Sequence, residues 1–192
     1  MKDFDNFSAQ EPSKGDLLIS EPFLPDSNFE RSVILLCEHD ENGSFGFVLN
    51  DLSALKLEEV IEDGAGLIDE LFVGGPVQQD TLHIIHRCGD KIQGSQKVND
   101  NIFWGGDFEE LTFQLNTKQI NQSDVRFFLG YSGWSSGQLM DEINAKSWIV
   151  YKQPTSHQIF DLDASSLWRI ILKEMGGKFK MFANYPSDPR MN

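Results

Sequence analysis

Two cysteine–histidine pairs are the densest chemistry in this chain. Cys37 and His39 stand two residues apart in one apolar run, and His86 and Cys88 stand two apart in another. Residues two apart on a strand share a face, so two adjacent strands in suitable register would offer zinc a Cys2His2 set. The spacing matches no zinc-finger knuckle, and a buried cysteine ordinarily acts as a small hydrophobe. No metal is therefore assigned. Ser132, in Gly130-Tyr131-Ser132-Gly133, suggests a nucleophile on a strand-to-helix turn. A nucleophile elbow needs its glycine two residues after the serine, whereas here glycine follows directly. None of His39, His83, His86 and His157 has a spacing that marks it as a base. The plainer reading is a tight turn whose serine bonds its own backbone. No catalytic residue is assigned, and a binding role is favoured over an enzymatic one.

A third possibility is a pocket for an anion or small molecule. Three glycine-rich turns, at 74–78, 105–107 and 130–137, each follow a strand, and two of them open helices with bare N–H groups. If they gather, Gly75, Gln78, Trp104, Tyr131, Ser132 and Trp134 would line the site. Neither nucleotide fingerprint, G-x-x-x-x-G-K or G-x-G-x-x-G, is present. The competing reading is that the glycines serve sharp bends of a sheet. The acidic loop at 38–43 lacks calcium-loop spacing and reads as a solvated hairpin turn.

The elements that must position these residues follow from hydrophobic period and turn chemistry. Asp16–Ser20, Ser32–Glu38 and Ser44–Asn50 read as strands, the last two joined as a hairpin through Glu41-Asn42-Gly43. A short acidic helix at Leu55–Asp63 precedes strands at Glu70–Val73, Thr81–Arg87 and Asn101–Trp104. Asp107 caps a helix with Phe108, Leu111, Phe113 and Leu115 as its apolar face. The stretch Arg126–Val150 reads as strand, glycine-rich turn, helix and strand. In its helix Leu139 and Ile143 face inward, Ser135 and Gln138 form a capping box, and Glu142 pairs with Lys146. Gln158–Asp161 is expected as an edge strand. Asp163 caps Ala164–Met175, which Gly176-Gly177 stops. Hairpin-joined strands with helices between them argue an α+β fold with a mainly antiparallel sheet. Residues 1–14 read as a loose arm that could dock through Phe4 and Phe7, 15–183 as a single domain, and 184–192 as a tail.

Composition narrows the partners. Of 192 residues, 40% are hydrophobic, enough for a real core, and the formal net charge is −14. The whole excess lies in residues 1–80, which carry 18 acids and 4 bases. Such a surface repels a phosphate backbone, so direct nucleic-acid binding is not expected. The exception is a small basic patch of Lys173, Lys178 and Lys180. Two cysteines make no disulfide scaffold, and no apolar run suits a membrane span or a signal peptide. The expected location is cytoplasmic.

Four blocks carry a family resemblance: GDLLISEP at 15–22, FERSVILLCEHDENGSFGFVLN at 29–50, LFVGGPVQQDTLHIIHR at 71–87 and FFLGYSGWSSGQLMDEI at 127–143, with Trp148 beyond. Together they resemble the YqgE/AlgH family of bacterial proteins. This chain departs from the family pattern at Ser44-Phe45-Gly46, at Asn50-Asp51-Leu52 and at Ser135-Ser136. The resemblance implies a bent antiparallel sheet approaching a pseudo-barrel with several short helices around it, a cytoplasmic location, and no established activity or cofactor. It also carries a label of transcriptional regulator. The favoured reading is a binding or regulatory module acting through an unnamed protein or small-molecule partner.

Overall fold

The computed structural model describes residues 10–61 and 70–186. Among these residues nine strands form: β1 (Leu17–Ser20), β2 (Val33–Asp40), β3 (Gly43–Val48), β4 (Leu71–Val73), β5 (Val77–His86), β6 (Ser95–Lys97), β7 (Phe103–Gly105), β8 (Val125–Ser135) and β9 (Trp148–Tyr151). They form one sheet in the order β6-β7-β5-β8-β3-β2-β1-β9, with β4 added parallel to β8 and every other pairing antiparallel. The sheet curls into a half-barrel. Among the described residues six α-helices accompany it: α1 (Leu57–Val60), α2 (Phe108–Asn116), α3 (Gln138–Asn144), α4 (Ser156–Phe160), α5 (Ala164–Met175) and α6 (Gly177–Phe182).

The near-continuous apolar run of β2 has a direct cause: both of its faces are buried. Val33, Leu35 and Cys37 join one core with α5, whose Leu167, Trp168, Ile171 and Leu172 cover that side. Ile34 and Leu36 point the other way, into a core with Trp134, Leu139, Ile143 and Trp148. A third core gathers Leu111 and Leu115 of α2 with Phe127 and Leu129 of β8. Asp107 and Asp163 cap α2 and α5 as their sequence positions predict.

Several expectations are corrected. The turn at 130–137 is mostly strand, because β8 runs unbroken to Ser135. Its glycines admit neighbouring backbone: a Cβ on Gly130, whose φ is +66°, would sit 2.6 Å from the Val77 carbonyl oxygen. Gln158–Asp161 is not an edge strand; Thr155 and Gln158 close a capping box there and start α4. Phe113 faces solvent, 61% exposed, so the buried stripe of α2 is narrower than expected. α3 starts at Gln138, although the Gln138 side chain does reach back to the Ser135 N–H at 3.0 Å. The acidic helix spans only Leu57–Val60, and residues 62 and 63 of the expected span lie outside the described residues. The docking of Phe4 and Phe7 lies outside them too. After Gly176, with φ +69°, the chain resumes as α6.

Candidate functional site

One expected set of six residues divides between the two faces of the sheet. Trp104 and Tyr131 meet on the inner face around Phe45, whose ring lies 4.9 Å from Trp104 and 6.1 Å from Tyr131. Gly75 packs against the Tyr131 backbone, and its φ of +152° and lack of a Cβ permit that approach. Ser132 is buried and donates to the Gly74 carbonyl 58 residues away, not to its own backbone as expected, because β8 continues through it and no tight turn forms. Gln78 stands exposed at a register shift of β5, with φ +48°. Trp134 lies on the opposite face, in the core with Trp148. It stands three positions after Tyr131, and an odd spacing on a strand reverses the side.

The cysteine–histidine set also separates. β2 bulges between Leu36 and Glu38, so one extra residue turns the alternation. Cys37 points into the inner core, whereas His39 pairs with Ser44, whose neighbour in β8 is Trp134. Cys88 belongs to the α2 core. Burial drives the Cys37 thiol far above its ordinary range and that of Cys88 to about 11. His86 is fully buried, bonded to the Ser95 hydroxyl at 2.8 Å and to the Cys88 N–H at 3.3 Å, and burial lowers its pKa to about 4. Among the described residues no group of three or more His, Cys, Asp or Glu side chains is placed to hold a metal ion.

What the fold does assemble is a cleft of about 280 Å³ between the tip of the β2–β3 hairpin and the junction of β8 with α3. His39, Asp40, Glu41 and Ser44 form the hairpin wall, and Ser135, Ser136 and Gly137 form the facing wall. Leu139 and Met140 supply apolar surface, and Glu11 closes one side. The Ser44 hydroxyl and His39 Nδ1 share a 2.7 Å hydrogen bond across the two strands. Ser136 Oγ donates to the Glu41 carbonyl at 2.6 Å, tying the walls together. Lys152 Nζ donates to the Glu11 carbonyl at 2.5 Å and pairs with the buried Asp16 at 2.7 Å, holding that side.

The facing wall is braced from behind. Gln138 Oε1 accepts from the Ser135 N–H, and Gln138 Nε2 donates to Glu142 Oε1 at 2.9 Å. The other Glu142 oxygen accepts both indole N–H groups, from Trp134 at 2.9 Å and Trp148 at 2.7 Å. Glu142 is thus bonded to the two indoles, and no Lys146 ion pair is seen among the described residues. Sequence reasoning took the hairpin tip for a solvated turn and weighed His39 only as a candidate in a metal set that was not assigned. Its signal was the local density of His, Asp and Glu at 38–41, but the partner wall lies some 95 residues away.

The family description "AlgH-like" matches residues 17–180. The chain belongs to this family. It is 44% identical over 181 residues to a UPF0301 protein of Cytophaga hutchinsonii, covering 94% of this chain and 99% of that one. To a UPF0301 protein of Chlorobaculum parvum it is 43% identical, covering 93% and 95%. Among solved structures, the AlgH protein from Pseudomonas aeruginosa superposes with a TM-score of 0.71 at 25% identity, over 92% of this chain and 98% of that one. A Corynebacterium diphtheriae protein superposes with a TM-score of 0.77 at 21% identity, over 92% and 94%. UPF0301 proteins carry no assigned molecular function.

Proposed function

We propose that this AlgH-like protein is a cytoplasmic binding module with a regulatory role, engaging a small molecule or a partner's side chain in the cleft between the β2–β3 hairpin and α3. The observation that carries this reading is the cleft itself. It is concave, with convergent polar groups of His39, Ser44, Ser135 and Ser136 set beside the apolar surface of Leu139 and Met140. Ligand sites combine these features. The brace through Gln138 and Glu142 supports it further, because a binding wall must be held before the ligand arrives.

The His39–Ser44 hydrogen bond favours a second reading, acyl transfer with Ser44 as nucleophile. Binding is preferred because a triad needs a third group to orient its base. Among the described residues no hydrogen bond holds the far nitrogen of His39. A fluorophosphonate reagent should accordingly leave Ser44 unlabelled, and stoichiometric labelling by mass spectrometry would favour the enzyme.

The binding reading is tested by ligand-observed NMR of a fragment library against the wild-type protein and the cleft-filling variant Ser136→Phe. Ser136 is exposed, so the variant should fold. Hits that bind wild type and lose binding in Ser136→Phe are expected. A hit set unaffected by the substitution would place the ligand elsewhere.

A further inference from the structure

We infer that the tip of the β2–β3 hairpin is a site of self-modification, at which Asn42 loses its side-chain amide to attack by the Gly43 nitrogen and one wall of the cleft is remodelled. The modification stands apart from the reading of the cleft as a binding site; its effect on binding rests on that reading. Asn42-Gly43 is the one Asn-Gly pair in the chain, and a following glycine leaves its nitrogen unshielded by any Cβ. Asn42 is exposed and lies with Glu41 in the two-residue loop that joins β2 to β3. Asp40 Oδ1 takes the Asn42 backbone N–H at 2.7 Å, while the Asn42 carboxamide has no hydrogen bond among the described residues. Asn50 is the contrast. Its Oδ1 accepts from the Val33 N–H at 2.8 Å and its Nδ2 donates to the Arg31 carbonyl at 2.9 Å, so its carboxamide is pinned. The Gly43 nitrogen sits on the last rung of the hairpin, opposite Asp40, where local opening costs least. Packing keeps the glycine in place, because a Cβ on Gly43 would lie 2.5 Å from the Trp134 carbonyl oxygen.

The chemistry consumes one water and releases one ammonia. The Gly43 nitrogen gives its proton to solvent and bonds to Cγ of Asn42. The Cγ–Nδ2 bond then breaks, Nδ2 takes up a proton and leaves as ammonia, and a cyclic succinimide remains. Water opens the ring on one of two sides. Breaking the new Cγ–N bond gives aspartate, whereas breaking the original peptide bond gives isoaspartate, whose main chain runs through the side chain. Nothing is oxidised or reduced. Both products set a further carboxylate beside Asp40 and Glu41, and isoaspartate also adds a methylene to the backbone. That methylene falls in a loop whose length sets the hairpin register, Asp40 opposite Gly43 and His39 opposite Ser44. The same loop carries the Glu41 carbonyl that takes the Ser136 hydroxyl at 2.6 Å. Lengthening the loop draws Glu41 from Ser136 and Ser44 from His39, so the hairpin wall parts from the α3 wall.

The test is ageing of the full chain in warm, mildly alkaline buffer, followed by peptide mass spectrometry that locates each converted amide. Residue 42 is expected to convert roughly tenfold faster than Asn50, whose side chain must first break its two bonds, with isoaspartate as the main product. The isoaspartate form, separated by anion exchange, should bind the fragments of the preceding test roughly tenfold more weakly, the effect of losing about one hydrogen bond between the walls. Freshly prepared Asn42→Asp carries the charge without the methylene and should bind them as the wild type does. An amide at residue 42 that converts no faster than Asn50 would overturn the modification. Isoaspartate at residue 42 with fragment affinity unchanged, or Asn42→Asp binding as weakly as the isoaspartate form, would overturn the remodelling through the backbone. If the fragments fail to bind fresh protein, the cleft reading and the remodelling fall together, and the mass spectrum at residue 42 still decides the modification.

Discussion

Glu142 is the residue on which the cleft and the core meet. Its two oxygens take three donors, two of them the indoles of Trp134 and Trp148, which are 6% and 3% exposed. Truncating Trp148 removes a large ring and leaves one carboxylate bond unmade. Trp148→Ala should therefore cost about 3–5 kcal/mol in urea denaturation, and a loss below about 1 kcal/mol would mean that the ring is not packed as described. His86 sets a pH dependence. Its pKa falls from 6.5 to about 4 in the folded protein, so between those values the unfolded chain takes up a proton that the folded chain refuses. The stability it contributes is complete above pH 6.5 and is lost as pH falls towards 4. At pH 5 the loss should be about 2 kcal/mol relative to pH 7.5. His86→Gln should flatten that slope by the same amount, and parallel slopes for the two proteins would show that folding does not depress the His86 pKa.

At the scale of elements, the outcome depended on whether the deciding signal was local. Caps at Asp107 and Asp163, the apolar runs of β2 and β8, and the inward faces of α3 and α5 could be read directly, since each depends on near neighbours in the chain. The bulge between Leu36 and Glu38 could not, because it exists only against β3, and it alone decides that Cys37 and His39 diverge. Glycines in β8 looked like a turn because nothing local distinguishes a bend from a close strand approach. The cleft was the least legible feature. Its walls come from residue 11, from 39–44 and from 135–140, and they meet only through long-range contacts: the pairing of β3 with β8, the Ser136–Glu41 bond and Lys152 on Glu11. Gly46 is a sharp test of that strand packing. A Cβ there would lie 2.2 Å from the Leu35 carbonyl oxygen, so Gly46→Ala must push β3 from β2 and should cost more than about 2 kcal/mol. Gly137→Ala meets nothing within 4 Å and bears only the strain of φ +77°, about 1 kcal/mol. Equal costs at both sites in urea unfolding would contradict the packing described here.

For the whole molecule, charge and shape point the same way. The net charge of −14 and the acidic cleft oppose a polyanion, and Lys173, Lys178 and Lys180 on α5 and α6 offer about three phosphate contacts at most. Titration against promoter and scrambled duplexes at about 150 mM salt should give weak binding without preference. Submicromolar affinity with a tenfold preference for the promoter would instead make the protein a direct DNA reader. Among the described residues no helix is long and apolar enough to cross a membrane.

The central claim is that the working surface is the hairpin–α3 cleft and not the aromatic inner face. Backbone amide mapping with the tightest-binding fragment tests it most directly. The account predicts shifts confined to 39–44 and 135–140, together with the indole N–H signals of Trp134 and Trp148, which sense the wall through Gln138 and Glu142. Shifts centred on Phe45, Trp104 and Tyr131, with the cleft unmoved, would contradict it.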